Sequence, residues 1–532
     1  MTHGHDLDAP CFVAPSPELR ERLRATLGTL RTAAGAAGVG PQMLTVRGPI
    51  SPGLNDGLIY PGTHLPAGTP LALARRQAAD RAPLRDAVKV IVVLVDFDDA
   101  PMANDKAHYE ELFFSTGTRP NGSVNDYFRE VSGGLLSIEG EVAGPYRLPR
   151  PVSEYANGAA GTGGAAPNAR TMAEDAASAA DADVDFAPYD NDGNGFVDAF
   201  IVVHAGQGAE STASNDDIWS HKWVLASGEL PVDGAKIYAY LTVPEDCGIG
   251  VCCHELGHLL FGWPDLYDID YSSNGVGSWC LMGDGSWNGS GDVPAHPSAW
   301  CKVSQDWVTV VNHTANEKVD VDAVQSSRTV HRLWKDGADG QEYFLVENRQ
   351  RTGYDRELPS DGLLIWHVDD SIEGNADESH YRVALVQADD RRDLERGANQ
   401  GDDGDPFPGS GGITAFTTTS SPSSRSYAGL ATCVAVTDIG ASAASISTSM
   451  AVTCPTLPAV TEPTVRKGSR GPAVEKLQRL LGQAGFDAGT VDGVFGTNTV
   501  KAVRAFQKAN GLVVDGVAGR ATWAALLAAT AT

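Results

Sequence analysis

Cys252-Cys253-His254-Glu255-Leu256-Gly257-His258-Leu259-Leu260-Phe261-Gly262-Trp263-Pro264-Asp265-Leu266-Tyr267-Asp268 is the stretch around which the rest of this 532-residue chain is organised. Apolar residues surround the polar trio His254, Glu255 and His258, and Gly262 with Pro264 stops the run. The segment therefore reads as a helix of about three to four turns ending near Phe261. Residues four apart on a helix share a face. His254 and His258 thus point the same way, about one turn apart, as two ligands of one tetrahedral zinc must. Glu255 lies roughly 100° round the helix from His254, within reach of a water at the metal without being a ligand. With 13 histidines in the chain, a chance H-E-x-x-H is expected on the order of 0.02 times, and a purely structural helix gains nothing from this spacing. The zinc reading wins.

A catalytic zinc needs a third protein ligand and keeps one position open. In the long zinc-peptidase motif a glycine at the eighth position turns the chain so that the eleventh residue meets the metal. Here the glycine is Gly262, at the ninth, and Asp265 stands at the twelfth. Asp265 is the expected third ligand because it follows a Gly-x-Pro turn that reverses the chain; Asp268 is the alternative. A helix-stabilising or calcium-binding role is open to both.

The same stretch, followed by Trp279-Cys280-Leu281-Met282-Gly283 and Gly285-Ser286-Trp287-Asn288-Gly289, resembles the immune inhibitor A-like family of secreted zinc metalloproteases. The resemblance implies that Met282 is the methionine of a metzincin-type turn, an apolar floor beneath the zinc. It extends to a Val-rich strand, Val88 to Phe97, whose continuous apolar run marks burial on both faces. It includes a helix from Ser123 to Glu130 ended by Gly133-Gly134, followed by a strand from Leu135 to Glu139. Further on, it includes the phrases Tyr343 to Arg349 and Gly362 to Asp369. In all it covers roughly residues 88–452. The implied fold class is a multidomain α+β chain: a zincin- or metzincin-like catalytic domain with a mixed sheet and an active-site helix, then a β-rich, sandwich-like domain.

Asp190-Asn191-Asp192-Gly193-Asn194-Gly195-Phe196-Val197-Asp198 matches a calcium loop. Asp190, Asp192, Asn194 and Asp198 supply side-chain oxygens, Phe196 a backbone carbonyl, and Gly195 the sharp turn. Ile201 replaces the usual bidentate Glu, and residues 199–204 read as a strand. The loop therefore predicts a structural Ca2+ site completed by another residue, such as Asp185, rather than a sensor. A metal-free Asx-rich turn is the plainer alternative. A second acidic turn, Gly401 to Pro406, is equally a calcium site or a turn.

The tail carries an internal repeat. Asp492-Gly493-Val494-Phe495-Gly496-Thr497-Asn498-Thr499 recurs as Asp515-Gly516-Val517-Ala518-Gly519-Arg520-Ala521-Thr522, and each turn precedes a helix. An amphipathic helix with Val474, Leu477, Leu480 and Leu481 comes before the first. Together with Val465 to Ser469 and Val503 to Gln507, this module resembles the three-helix peptidoglycan-binding domain. The resemblance implies binding to the cell wall.

Length gives room for three or four domains. We read 1–86 as a leader or pro-segment, 87–325 as the catalytic domain and 326–454 as the β-rich domain. Residues 455–464 read as a Pro-rich linker and 465–532 as the wall-binding domain. Ser16-Pro17 caps a helix carrying Leu19, Leu23, Leu27 and Leu30, and an Ala-rich helix is expected over 71–81. Cys11, with His3 and His5, is a candidate cap on the zinc of a latent form. Residues 292–307 are expected to return to helix, with His296 either reaching the cleft or capping a helix.

A net charge of -28 repels nucleic acid and anionic membranes, and no stretch approaches the ~18 apolar residues of a membrane span. Residues 1–8 show neither the basic nor the apolar region of a secretory signal, whereas the wall-binding module points outside the cell. Of eight cysteines, Cys433 and Cys454 flank a hairpin and could pair. One or two bridges are plausible among Cys247, Cys252, Cys253, Cys280 and Cys301.

The expected protein is a monomeric, secreted or wall-associated zinc endopeptidase. His254, His258 and Asp265 would hold Zn2+, Glu255 would be the general base, and Ca2+ would stabilise the fold. Protein or peptide substrates and peptidoglycan are the expected partners. A peptidase of peptidoglycan cross-links and a non-catalytic wall-binding scaffold are the alternatives.

Overall fold

The computed structural model describes residues 13–22, 84–372, 374–454, 461–510 and 512–530. Cys11, His3, His5, the expected helix over 71–81 and most of the leader lie outside the described residues. So do residues 455–460 of the linker.

The apolar run beginning at Val88 forms β1 (Asp86–Asp96). It is flanked on both sides by parallel partners, β2 (Leu136–Arg147) and β3 (Phe200–His204), with Val92 opposite Val142 and Ile201. β4 (His221–Val224) follows, then a small hairpin of β5 (Leu230–Val232) and β6 (Ala235–Ile237), then β7 (Ala239–Pro244). The sheet order is β2-β1-β3-β7-β4, and only β4 runs antiparallel. Central strands covered on both faces need apolar residues at successive positions, and Val90 to Val95 are all fully buried. Helices Lys106–Phe114 and Val124–Val131 start at Asp105 and Ser123, whose side chains accept the N–H groups of His108 and Asp126. Both caps satisfy donors that the first helical turn cannot.

Between Phe261 and Thr309 the chain runs through two 3-10 turns, and only Ala299–Ser304 is α-helical. The helix expected over 292–307 is shorter because Pro294 and Pro297 hold residues 294–297 out of helical geometry. Ser298 caps the short helix through the N–H of Cys301.

Eight further strands follow. β8 (Thr309–Asn312) and β9 (Glu317–Asp322) come first, then β10 (Thr329–Leu333), β11 (Glu342–Arg349), β12 (Gly362–Asp369) and β13 (Val383–Leu385). β14 (Ala435–Thr437) and β15 (Ser445–Ala451) complete them. They form two sheets, β13-β12-β11-β10-β8 and β14-β15-β9. β8 and β9 enter these sheets ahead of residue 326, where the sequence reading begins the β-rich region; they are short and mostly exposed, and Val310, Val311, Val319 and Val321 give only a weak apolar signal.

The period-two alternation of β11 and β12 explains how the layers stack. Tyr343, Leu345, Leu364 and Trp366 belong to the core that also holds β1 and the His-bearing helix. Phe344, Val346, Leu363 and Ile365 face a second core shared with Val321, Val436 and Ile446. The middle sheet is thus a wall common to two cores. Cys433 and Cys454 are disulfide-bonded.

The tail repeat is visible as three helices, Pro472–Gln483, Thr497–Ala509 and Arg520–Ala529, around Leu477, Phe495, Phe506 and Trp523. Gln478 Nε2 lies within 3.2 Å of Asp492 Oδ1, Val494 O and Thr499 Oγ1. Gln507 Nε2 lies equally close to Asp515 Oδ1, Val517 O and Thr522 Oγ1, all within 3.2 Å. Each D-G turn is therefore held by one buried glutamine from the preceding helix.

Candidate metal centre

The helix Ile249–Phe261 leaves the end of β7 and is buried along its whole length. Gly262 ends it in the left-handed region, φ 66°, which glycine enters without penalty. The N–H groups of Gly262 and Trp263 take the carbonyls of His258 and Gly257. That turn folds the chain back, and Asp265 returns to the histidine face.

Three donors converge there. Asp265 Oδ1 lies 3.0 Å from His254 Nε2 and 3.1 Å from His258 Nε2, and the two Nε2 atoms are 3.1 Å apart. The opposite ring nitrogens fix the tautomers. His254 Nδ1 lies 3.0 Å from the Leu281 carbonyl, and His258 Nδ1 lies 2.6 Å from that of Trp263. A carbonyl can only accept, so each Nδ1 carries the proton and each Nε2 turns a lone pair to the shared point. Two lone pairs and a carboxylate crowded at buried positions repel unless a positive charge lies between them. Asp265 Oδ2 and both carboxylate oxygens of Glu255 accept no hydrogen bond of normal geometry among the described residues. The donor set of two imidazoles and one carboxylate, with spare buried oxygens beside it, fits a zinc ion.

The crowding also shows in how the three groups titrate, where a proton on His254 Nε2 can stand for the positive charge between them. Burial works to lower the His254 imidazole, but the hydrogen bond and charge of Asp265, with the charge of Glu255, raise it to about 9. Burial raises Glu255 to about 8, helped by Asp265 and Glu210 and opposed by His254. For Asp265, the two histidines outweigh burial and hold it low.

Asp268 does not join this point. Its Oδ2 accepts from Ser272 Oγ and from both N–H and Oγ of Ser273, and its Oδ1 accepts the Asp270 N–H. It is committed to its own turn. Met282 is fully buried, with its sulfur so close to Gly257 that a Cβ there would stand 2.6 Å from it. His296 points elsewhere: Nε2 meets Glu130 Oε1 at 3.0 Å, and its N–H is held by Asp355. The carbonyls of Leu281 and Trp263 were not foreseen, because main-chain acceptors leave no mark in the residue pattern.

The second acidic loop is also compact. Asp190, Asp192 and Asp198 each offer an oxygen within 4.8 Å of the others. Asp190 accepts the N–H groups of Asn194 and Gly195, and Asn194 Oδ1 accepts that of Phe196. Asn191 pins the loop to β1, exchanging hydrogen bonds with the Lys89 N–H (2.7 Å) and carbonyl (2.9 Å). Asp185 instead holds the N–H of Ala187.

Residues 13–22 lie against this same body. Trp219 Nε1 donates to Val13 O at 2.9 Å, Trp287 Nε1 to Ala14 O at 2.7 Å, and the Ser16 N–H to Glu210 O at 2.8 Å. Arg20 pairs with Asp284, both side chains buried. Ser16 caps the helix that starts at Pro17 through the Leu19 N–H. Among the described residues no helix is long and apolar enough to cross a membrane.

Known proteins share two parts of this chain. Residues 79–311 match the immune inhibitor A peptidase M6 catalytic domain, and residues 470–526 match a peptidoglycan binding domain. The chain is 31% identical over 269 residues to pre-pro-metalloprotease PrtV of Vibrio cholerae, covering 40% of this chain and 29% of that protein. It is 29% identical over 326 residues to immune inhibitor A of Bacillus thuringiensis, covering 48% of this chain and 47% of that one. Its tail is 47% identical over 66 residues to the spore cortex-lytic enzyme of Bacillus cereus, covering 12% and 26% of the two chains. The chain thus spans less than half the length of each of these relatives. The segment 79–311 thus matches the immune inhibitor A peptidase M6 catalytic domain and is homologous to immune inhibitor A and PrtV, and residues 470–526 match a peptidoglycan binding domain.

Proposed function

We propose that this chain is a zinc-dependent endopeptidase acting on proteins, brought to the cell wall by its tail. The observation that carries the proposal is the buried convergence of His254 Nε2, His258 Nε2 and Asp265 Oδ1 within 3.1 Å of one another. These three residues would hold the zinc. When bound, zinc supplies Lewis acidity that polarises a carbonyl oxygen and lowers the pKa of water towards ~7. Glu255, next to His254 on the same helix, takes the proton of the attacking water on its carboxylate and passes it to the leaving amine. Leu281 and Trp263 keep both imidazoles in the tautomer that leaves Nε2 free, and the fully buried helix keeps bulk water from the donors.

The test is Glu255→Gln. We expect zinc to stay stoichiometric while cleavage of casein falls by at least about 10²-fold. Comparable turnover would remove Glu255 from the role of base.

A second reading keeps the zinc and takes the peptide cross-links of peptidoglycan as substrate, with the tail as substrate locator. The match of residues 470–526 to a peptidoglycan binding domain favours it. Loss of turbidity of purified walls without casein cleavage would select it. A metal-free protein with full wall affinity and no cleavage would leave only a wall-bound scaffold.

The Asp190 loop is proposed to hold a structural Ca2+ through Asp190, Asp192, Asn194, Asp198 and the carbonyl of Phe196, and the protein is proposed to work outside the cell as a monomer. We keep residues 1–86 as a pro-segment, 87–325 as the catalytic domain, 326–454 as its β-rich companion and 465–532 as the wall-binding domain. The contacts of residues 13–22 with Trp219, Trp287 and Asp284 support latency before the leader is removed.

A further inference from the structure

The turn between β7 and the His-bearing helix, with the start of that helix, holds two thiols that the proposed chemistry does not use. Cys247 lies in that turn and Cys252 in the first turn and a half of the helix, with their sulfurs 3.3 Å apart. A disulfide bond is about 2.05 Å long, so closing it needs a movement of roughly 1.3 Å. The two sulfurs are placed unequally. Cys247 is partly exposed, whereas Cys252 is buried beneath it. Cys253, the next residue, is also buried, but successive helical residues point about 100° apart, so only one of the two can face Cys247.

The backbone here has reason to be stapled. Gly248 begins the helix with no side-chain cap, and Gly250 follows in the first turn. Glycine is the weakest ordinary helix former, and an uncapped first turn leaves N–H groups unsatisfied. The same chain carries a closed bridge at Cys433–Cys454, as chains of oxidising compartments do.

We propose that Cys247 and Cys252 form a redox-closable staple that fixes the start of the helix bearing His254, Glu255 and His258. The oxidant is a low-molecular-weight disulfide, RSSR. The half-buried Cys247 sulfur, the more accessible of the two, attacks it, forming Cys247–S–SR and releasing one RSH. Cys252 then attacks the Cys247 sulfur, forming the internal bond and expelling the second RSH. Two S–H bonds and one S–S bond break, and one S–S bond and two new S–H bonds form. The cysteine pair loses two electrons and RSSR gains them. Access through Cys247 alone gives the order: the outer sulfur takes the mixed disulfide and the inner one resolves it.

The full chain, incubated with oxidised glutathione, acid-quenched, denatured and treated with a maleimide, is then mapped by mass spectrometry. We expect Cys247 and Cys252 unlabelled, their peptide 2 Da lighter than the reduced form (about one hydrogen lost per sulfur), and Cys253 labelled. Dithiothreitol should lower Tm by several degrees more in the wild type than in Cys247→Ser, the difference isolating this bridge from Cys433–Cys454. Maleimide on both Cys247 and Cys252, or glutathione retained on Cys247 with Cys252 labelled, would overturn the proposal. The labelling uses the wild-type chain, so it decides the matter even where Cys247→Ser folds poorly.

Discussion

Lys302 Nζ lies 2.6 Å from Glu347 Oε2, with both side chains buried, and joins the helix after the metal centre to the middle sheet. Glu347 also accepts from Trp366 Nε1 at 3.0 Å and faces Arg349, which grips Asp355. The body that holds the His-bearing helix and the β-rich body therefore share a charge network as well as an apolar core. Breaking a buried pair leaves one charge without its partner, at about 3–5 kcal/mol. Lys302→Met should lower the unfolding free energy by about 3 kcal/mol, with Arg349 partly compensating. In a double-mutant cycle with Glu347→Gln, urea melts should show coupling above about 1 kcal/mol. Additive losses would mean that the pair contributes nothing of its own.

Asp265 and Asp268 are three residues apart but do different work. Asp265→Asn removes the carboxylate that meets both histidines. It should weaken zinc binding at least about tenfold, read as metal per mole after dialysis against a weak chelator. Asp268→Asn should keep the zinc but lose stability by about 1–3 kcal/mol, because an amide cannot replace a carboxylate that accepts four hydrogen bonds. If the zinc follows Asp268 instead, the ligand assignment is reversed.

How much of this could be read in advance depends on the range of the interaction. The strand from Val88 and the helix around His254 announce themselves because their apolar periods are local. The glycine caps and the Asp190 loop are local too. The choice between Asp265 and Asp268 depends on the path taken after Gly262, which the spacing leaves open. Nothing local says that Leu345 and Phe344, adjacent on one strand, face two separate cores. His296 could be imagined in the cleft because its partners, Glu130 and Asp355, are distant in sequence. The helix expected over 292–307 failed on Pro294 and Pro297, which a stricter reading of the prolines would have caught.

Calcium in the Asp190 loop should appear as stability. Asp190, Asp192 and Asp198 bring three carboxylates together, and their mutual repulsion is relieved by a divalent cation. EGTA, with free Zn2+ held constant by a zinc buffer, should lower Tm of the wild type by several degrees, and excess Ca2+ should restore it. Asp190→Asn should show a smaller shift. Equal melting with and without Ca2+ would leave the loop as an Asx turn pinned by Asn191.

His204 is fully buried on β3, and burial lowers it to about 4, against the pull of the Ala205 carbonyl and of Asp217 and Glu245. Its folded pKa lies below its unfolded value, so the unfolded chain takes up the proton first. Its contribution is complete above about pH 6.5 and is lost as pH falls towards 4. Glu210 works in the opposite sense, because burial raises it to about 7 and its contribution fades as pH rises through that value. The wild-type profile therefore mixes the two. His204→Asn, compared with wild type in urea melts, should lose about 2 kcal/mol less between pH 6.5 and pH 5. Parallel profiles would mean that His204 is protonated as easily in the fold as outside it.

Gly250 and Gly257 both lie inside the His-bearing helix, where Gly→Ala ordinarily gains about 1 kcal/mol. The surroundings reverse that expectation, and by different amounts. A Cβ on Gly250 would stand 1.9 Å from the carbonyl oxygen of Ser286, a backbone atom in the turn that follows Met282. Neither partner can rotate away, so the helix and that turn must separate. A Cβ on Gly257 would stand 2.6 Å from Met282 Sδ and 3.1 Å from Trp263 Cε3. A thioether can change rotamer, but Met282 packs at the level of the histidines. Gly250→Ala should therefore fail to fold or lose more than about 3 kcal/mol. Gly257→Ala should lose about 1–2 kcal/mol, fold, and bind zinc more weakly as Met282 is displaced. Chemical denaturation with metal analysis of both variants checks the order. If Gly250→Ala proved the milder change, the helix would not lie as close to the Ser286 turn as it does here.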